Sequence, residues 1–201
     1  MATRSYTASG RRGSPQSVDR VLEAAERLIG EDAFHAATME ELATAAGVSR
    51  ATVFNRFGSK LGVLQALFTR GIEGPEMRAI QEALAIEDPV EALEAAIDAS
   101  CVIWEAYAPV HEQLQAIVVL EPEASALIKR QRDEQRADLQ ALTRRLARAG
   151  RLRRGISGTR VTATLHMLTS LETFLWLRRE YRLSLRQTRE AISEQARAVL
   201  R

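Results

Sequence analysis

The chain is poor in cysteine, proline and glycine, and each shortage excludes a class of protein. One cysteine, Cys101, among 201 residues cannot form an intramolecular disulfide, which argues against a disulfide-stabilised secreted domain. Five prolines and 11 glycines are too few for a collagen-like or low-complexity chain. No apolar run approaches the roughly 18 residues of a membrane span, and no apolar core of signal-peptide type follows Met1. The chain is therefore expected to be globular and cytoplasmic, without a membrane partner.

Residue types that carry enzyme chemistry are few and far apart. His35, His111 and His166 do not have metal-ligand spacing, and there is no paired cysteine, phosphate-binding glycine loop or nucleophile elbow. Cys101 could in principle act as a nucleophile with a distant histidine as base, but its apolar helical surroundings favour a buried structural cysteine. We therefore expect no catalytic residue, no metal site and no cofactor. An all-α enzyme stays a distant alternative.

The abundant residues are those that form amphipathic helices. Apolar residues make up 46% of the chain and charged residues 27%, and no stretch alternates like a β-strand between hairpin turns. Prolines mark helix starts, because proline is favoured in the first helical turn. The helices predicted after the first 70 residues are 75–86, 89–107, a segment from 109, 122–149, 159–179 and 184–200. This pattern predicts an all-α protein with about nine or ten helices.

A helix-turn-helix is predicted over residues 38–57. Thr38 and Glu41 have the spacing of a capping box, in which each side chain bonds the other residue's backbone N–H. Gly47 stands where a left-handed turn residue is required, and Ser49 is a favoured N-cap for a short second helix, 50–56. The second helix of such a motif enters the DNA major groove. The sequence therefore predicts binding to double-stranded DNA.

The distribution of charge favours the same segment. The net charge of +2 is too small to indicate nucleic-acid binding by itself. Residues 48–70 nevertheless contain four basic side chains and no acidic one, whereas residues 71–201 are neutral overall. Residues 1–15 are predicted to form a flexible basic arm. Its arginines, Arg4, Arg11 and Arg12, could reach a minor groove, and a tail without a role is equally compatible with the sequence.

Three blocks of this region resemble the TetR family of transcriptional regulators. They are Thr38-Met-Glu-Glu-Leu-Ala43, Gly47-Val-Ser-Arg-Ala-Thr-Val-Phe-Asn-Arg-Phe57, and Ser59-Lys60 leading into Leu61-Gly-Val-Leu-Gln-Ala-Leu-Phe68. The resemblance is specific over roughly residues 18–68. It implies a three-helix DNA-binding domain over residues 16–72, followed by a helical effector-binding and dimerisation domain over residues 73–201.

Seven residues are predicted to contact DNA. Base edges are assigned to Arg50, Thr52 and Asn55, because the paired donors and acceptors of arginine and asparagine match guanine and adenine. Phosphates are assigned to Ser49, Arg56 and Lys60. Phe54 occupies a position at which TetR-like proteins usually have a phosphate-contacting tyrosine, so it is included in the predicted interface.

The later helices are predicted to hold a ligand pocket and a dimer interface. The pocket is assigned to inward-facing aromatic, sulphur and polar residues, although such a stripe is most often plain core. These residues are Cys101, Trp104, Tyr107, His111, Leu114, Met167, Leu171 and Phe174. The interface is assigned to the wide stripe of the last two predicted helices, with purely internal packing as the alternative. Its residues are Leu165, Leu168, Glu172, Leu175, Ile192, Gln195 and Val199.

Together these features predict a homodimeric repressor that a small, mostly apolar effector releases from a palindromic operator. A helical adaptor that binds another protein, or a ligand-binding bundle with weakened DNA binding, is the alternative.

Overall fold

A computed structural model describes residues 15–117 and 122–201, and its ten helices in these ranges confirm the all-α prediction. No strand occurs in the described ranges, where a single antiparallel bridge joins Leu152 to Leu200. Residues 1–14, which make up all of the predicted basic arm except Pro15, lie outside the described residues. The helices are α1 Pro15–Gly30, α2 Met39–Ala46, α3 Arg50–Phe57, α4 Lys60–Ile72, α5 Pro75–Ala85, α6 Pro89–Ile117, α7 Pro122–Arg148, α8 Gly158–Leu168, α9 Leu171–Arg179 and α10 Leu185–Arg197.

The chain divides into two compact units, with the boundary between Leu67 and Phe68, inside α4. The first unit contains α1 to α3 and the start of α4, and its core is made of fully buried side chains from these helices and from the loop between α1 and α2. These include Val21, Phe34, Leu42, Val53, Val63 and Leu67. Each of the four helices therefore turns one apolar face inward and leaves the opposite face to solvent.

The second unit contains the end of α4 and the helices α5 to α10. Its core is a single apolar cluster centred on α6, α7 and α8, with Leu93, Ile97, Leu142, Leu146 and Leu165 almost fully buried. The guanidinium group of Arg145 donates to the carbonyls of Leu84 and Ile86, and so caps the C-terminus of α5 from α7. A cation at this end of a helix also interacts favourably with the helix dipole.

The structure corrects the prediction that a helix ends near Tyr107 and another begins at Pro109. Helix α6 runs without interruption from Pro89 to Ile117, with Pro109 in its interior. An interior proline removes one backbone hydrogen bond and costs roughly 3 kcal/mol in an isolated helix. Here Ala108, Val110 and His111 are buried around it, so tertiary packing offsets that cost.

The structure also corrects the single helix predicted over residues 159–179. The chain breaks at Thr169 and Ser170, between α8 and α9. Ser170 is the N-cap of α9, where its side chain accepts from the N–H of Thr173 at 3.2 Å. The freed carbonyl of Thr169 accepts the indole N–H of Trp104 at 2.9 Å and the amide of Gln135 at 3.3 Å. Two side chains from α6 and α7 thus replace the helical bonds lost at the break.

Gly62 is the glycine of the first unit with the least room for a side chain. A Cβ atom at this residue would lie 1.8 Å from the carbonyl oxygen of Phe57, whereas a Cβ at Gly30 would meet nothing within 4 Å. We expect Gly62→Ala to destabilise the first unit by about 3 kcal/mol, because the backbone at the end of α3 must move. Gly30→Ala, the matched control, should change stability by less than about 1 kcal/mol. Hydrogen exchange of peptides from residues 21–67 measures both, and equal exchange in the two variants would contradict the close approach.

Candidate functional sites

The helix-turn-helix is defined by its caps. The hydroxyl of Thr38 accepts the N–H of Glu41 at 3.2 Å, and the Glu41 carboxylate accepts the N–H of Thr38 at 2.8 Å. These hydrogen bonds hold the pKa of Glu41 below its usual range, with the backbone bond from Thr38 as the largest cause. Gly47 ends α2 with φ 62° and ψ 37°, a left-handed conformation that glycine adopts without steric cost. The capping box and the turn residue are therefore where the sequence predicted them.

Helix α3 turns a row of polar and aromatic side chains to solvent. Val53 is fully buried, which anchors the helix in the first unit, while Arg50, Phe54, Asn55 and Arg56 are exposed. The ring of Phe54 is 59% exposed, so it does not pack in the core as aromatic rings usually do. Arg50 lies 3.8 Å from Glu40 in an exposed ion pair, which is too weak to hold the guanidinium in place.

Three of the predicted DNA contacts also serve the unit's own structure. Ser49 caps α3, where its hydroxyl accepts the N–H of Thr52 at 3.1 Å and lies 2.8 Å from the Thr52 hydroxyl. Lys60 donates to the carbonyl of His35 at 2.8 Å and lies 5.0 Å above the ring centroid of Phe34. Partial burial lowers the pKa of Lys60. One of its three N–H donors is therefore occupied within the chain.

The second unit encloses a cavity of about 320 Å³, a size within the range of small-molecule sites. Its wall combines apolar side chains with polar ones, the largest group of which comes from α7. The apolar part includes Phe68, Ile72, Met77, Ile80, Leu93, Ile97 and Trp104, and the polar part Gln81, Ser100, Tyr107, His111, Gln131, Glu134, Gln135, Asp138 and Thr169. No lysine or arginine occurs among these wall residues of the described chain.

The structure brings three of the eight predicted pocket residues together at this cavity: Trp104, Tyr107 and His111. Cys101 and Phe174 are buried in the apolar cluster and are absent from the cavity wall, and burial raises the pKa of the Cys101 thiol to about 11. Met167 and Leu171 line a separate depression beside the ion pair of Arg132 and Glu172. The side chain of Leu114 lies outside the described residues.

His111 is the most unusual polar residue of the cavity. It is 4% exposed, and its Nδ1 has no hydrogen-bond partner in the described part of the chain. Its ring contacts Trp104 edge-on at 5.5 Å and Phe68 at 5.8 Å between centroids. Burial lowers the pKa of His111 to about 4, an effect that Arg132 reinforces and Glu172 and Glu112 oppose. The imidazole is thus neutral near pH 7 and has an unmet hydrogen bond, which costs about 1–3 kcal/mol.

The residues predicted for a dimer interface separate into two groups. Leu165, Leu168, Ile192 and Val199 are buried in the unit's own apolar cluster, whereas Glu172 and Gln195 are exposed and Leu175 is half-buried. Exposed apolar side chains of the same helices are instead Met167, at 60%, and Trp176, at 55%. Helical period alone does not separate these groups, because an interior face and an exposed face have the same spacing.

Sequence reasoning predicted none of the cavity-wall residues on α5 and α7. The signal that could have found those on α7 is the polar stripe Gln131, Glu134, Gln135 and Asp138, which falls on one face of α7 at helical spacing. A polar stripe of this kind usually indicates a solvated helix face. Only the tertiary structure shows that this one closes one side of a cavity.

Within the described residues no helix is both long and apolar enough to span a membrane. The same ranges contain no cluster of three or more histidine, cysteine or carboxylate side chains that could hold a metal ion.

Comparison with known proteins relates both units to one group of regulators. Residues 21–67 match the family of bacterial regulatory proteins described as the tetR family. The TetR-family regulator PfmR from Thermus thermophilus is 28% identical, with 91% of this chain and 95% of that chain covered and a TM-score of 0.69. A transcriptional regulator from Saccharomonospora viridis, solved with choline, is 21% identical over 93% of this chain and 98% of that one, with a TM-score of 0.75. AibR, solved with isovaleryl coenzyme A and operator DNA, is 20% identical, with 88% of this chain and 96% of that chain covered and a TM-score of 0.67. A sequence search of curated proteins found no match.

The lowered pKa of His111 predicts a loss of stability in mild acid. The unfolded chain binds this proton below its ordinary pKa of 6.5, and the folded protein only below about 4, so the free energy of unfolding falls as the pH falls through this window. We expect His111 to lower the free energy of unfolding by about 2 kcal/mol between about pH 7 and pH 5. His111→Phe, which keeps a ring beside Trp104, should remove that part of the loss, and His35→Gln, at an exposed histidine, should not. Urea unfolding followed by tryptophan fluorescence tests this, and parallel pH curves for all three proteins would contradict it.

Proposed function

This chain is a member of the TetR family of bacterial regulators, and from that premise we propose that it acts as a homodimeric transcriptional repressor. It binds a palindromic operator through α3 and leaves it when a small effector occupies the cavity of the second unit. The matched residues, 21–67, contain the complete helix-turn-helix, from the capping box of α2 to the end of α3. The fold of the second unit is that of solved transcriptional regulators.

The observation that carries DNA binding is the exposed face of α3. Arg50, Asn55 and Arg56 are free to reach a ligand, and residues 48–72 contain no acidic side chain that would repel phosphates. Arginine and asparagine pair bidentately with guanine and adenine, while Arg56 at the end of α3 suits a phosphate. The exposed ring of Phe54 cannot donate a hydrogen bond, and it offers an apolar surface of the kind that contacts thymine methyl groups.

Dimerisation is proposed from symmetry and from the exposed face of α8 and α9. One helix-turn-helix reads few base pairs, and a two-fold dimer places two of them in successive major grooves about 34–36 Å apart. Met167 on α8 and Trp176 on α9 are large apolar side chains that are more than half exposed. An isologous contact that covers them would also fix the separation of the two DNA-binding units.

Effector control is proposed through α4, which begins in the first unit and ends at the cavity. Phe68, Gly71 and Ile72 of this helix line the cavity wall, and a Cβ at Gly71 would lie 3.0 Å from the ring of Tyr107. A ligand that displaces this end of α4 alters the spacing of the two α3 helices without touching DNA. Solved structures with similar folds contain choline in one case and isovaleryl coenzyme A with operator DNA in another. A coupling of about 1–3 kcal/mol between the two sites makes a useful switch.

The experiment that tests DNA binding is the capture and sequencing of genomic fragments by the purified protein, followed by affinity measurements on the enriched site. We expect Asn55→Ala to cost roughly 1–3 kcal/mol on that site and to relax the preference at one base position. Arg56→Ala should weaken binding to all sequences by a similar factor and reduce the salt dependence, because a phosphate contact releases a counterion.

Gln140→Ala, at an exposed residue of α7 that belongs to none of the predicted sites, is the control and should leave DNA affinity unchanged. If the purified protein enriches no fragment at low salt, the regulator proposal fails and a protein-binding adaptor becomes the better explanation.

The dimer proposal predicts that a charge on the exposed face of α8 separates the subunits. Met167→Glu should convert a species of about twice 22.3 kDa into one of 22.3 kDa, because burying an unpaired carboxylate at an interface is costly. Val102→Glu places the same charge at an exposed apolar residue of α6 and should stay dimeric. Sedimentation velocity with far-ultraviolet circular dichroism measures mass and folding together. A monomeric unmodified protein at micromolar concentration would refute the dimer.

A further inference from the structure

The side of α7 that faces the cavity carries charge of one sign. Gln131, Glu134, Gln135 and Asp138 all line the wall, with Glu134 exposed and Asp138 half-buried. The two carboxylates are four residues apart, so they lie one above the other on the same helix face. Like charges at this spacing destabilise a helix. Neither carboxylate has an ion-pair partner among the described residues.

Four basic side chains of α7 have partners other than this pair. Lys129 and Arg136 both bind Asp133, at 2.6 Å and 2.8 Å, on another face of the helix. Arg132 binds Glu172 at 2.7 Å beside the neighbouring depression, and Arg145 caps α5. These four cations are engaged elsewhere, and Arg130, four residues before Glu134, is not among the wall residues. The wall itself therefore has two carboxylates and no basic side chain.

The cavity wall combines aromatic rings with uncharged polar groups, of which His111 Nδ1 is buried without a hydrogen-bond partner in the described part of the chain. Phe68, Trp104 and Tyr107 contribute aromatic rings to the wall. The unpaired Nδ1 of His111 is buried at the same wall, and its pKa of about 4 keeps the ring uncharged near neutral pH. An anionic ligand would find no described cation to replace its hydration, which makes its burial costly. A cation would meet carboxylates at the rim and ring faces inside, both of which attract it.

We propose that the effector of this cavity is an amphiphilic organic cation. Its apolar body lies against Phe68 and Trp104, its ammonium group lies at Glu134 and Asp138, and His111 Nδ1 forms a hydrogen bond with a polar atom of the body. This inference rests on the proposed function, since it names the chemical class of the effector that the regulator senses.

The first test compares three eight-carbon probes by isothermal titration calorimetry of the full-length protein, below their micelle concentrations. Octyltrimethylammonium is the cation, 1-octanol the neutral compound and octanoate the anion. We expect the cation to bind about tenfold more tightly than the alcohol, because two partly solvated carboxylates contribute a modest attraction each. Octanoate should bind more weakly than both. Equal affinities, or tighter binding of octanoate, would overturn the proposal.

Charge-neutral variants locate the ammonium group. Replacing the pair with Glu134→Gln and Asp138→Asn should reduce the affinity for octyltrimethylammonium by about tenfold and leave the affinity for 1-octanol within about twofold. The matched control is Glu82→Gln on α5, which removes an exposed carboxylate that is absent from the cavity wall. Because the alcohol reports on the intact cavity, a misfolded variant is recognised by loss of both probes. Unchanged affinity for the cation in the double variant would refute the assignment of the carboxylates.

The hydrogen bond to His111 is tested with a hydroxyl on the far end of the chain. The ω-hydroxyoctyltrimethylammonium cation should bind about threefold or more tightly than its parent in the unmodified protein, in line with one buried hydrogen bond. In His111→Phe the two probes should bind equally. A hydroxyl effect that persists in His111→Phe would show that another group makes the contact.

Operator binding without any probe, measured on the same samples, separates this inference from the proposed function. If the protein binds its operator and the cation does not bind the cavity, the inference alone is wrong. If the cation binds as expected and no DNA is bound, the class of ligand stands and the regulator proposal falls.

Discussion

The backbone carbonyl of Thr169 connects the break between α8 and α9 to the helices α6 and α7 of the second unit. It accepts hydrogen bonds from the indole of Trp104 on α6 and from the amide of Gln135 on α7, and it is freed to do so because the chain breaks between α8 and α9. A buried carbonyl without partners would be costly, so the break and the two donors require each other. The same bonds fix the orientation of Trp104 and Gln135, both of which are cavity wall residues.

In the first unit, too, hydrogen bonds from side chains to the backbone hold the helices in place. Ser49, Thr52 and Lys60 are partly engaged in caps and backbone contacts of their own unit, while Arg50, Asn55 and Arg56 are exposed on α3. The residues that stabilise the helix-turn-helix are thus largely different from the exposed residues that are available to contact DNA. This division explains why the caps could be recognised from spacing, since local hydrogen bonds between near neighbours determine them.

The net charge of the second unit does not predict the charge at its cavity. Residues 71–201 are neutral overall, which by itself favours an uncharged ligand. In the folded unit most of the basic residues of α7 are paired with carboxylates or capping a helix, and Glu134 and Asp138 remain beside the cavity. A neutral sequence can therefore enclose a negative site, because side-chain pairing depends on neighbours that are distant along the chain.

The sequence by itself determined the all-α class, the caps and turn of the helix-turn-helix and most helix starts, because these depend on hydrogen bonds and periodicity within a few residues. Only the tertiary structure decided that α6 continues through Pro109 and that the helix predicted over residues 159–179 breaks at Thr169, since packing and long-range donors there outweigh local preference. It also decided which apolar stripes are interior. Leu165 and Leu168 are buried while Met167 is exposed, a difference that helical period cannot show, because a face toward the core and a face toward a partner have the same spacing.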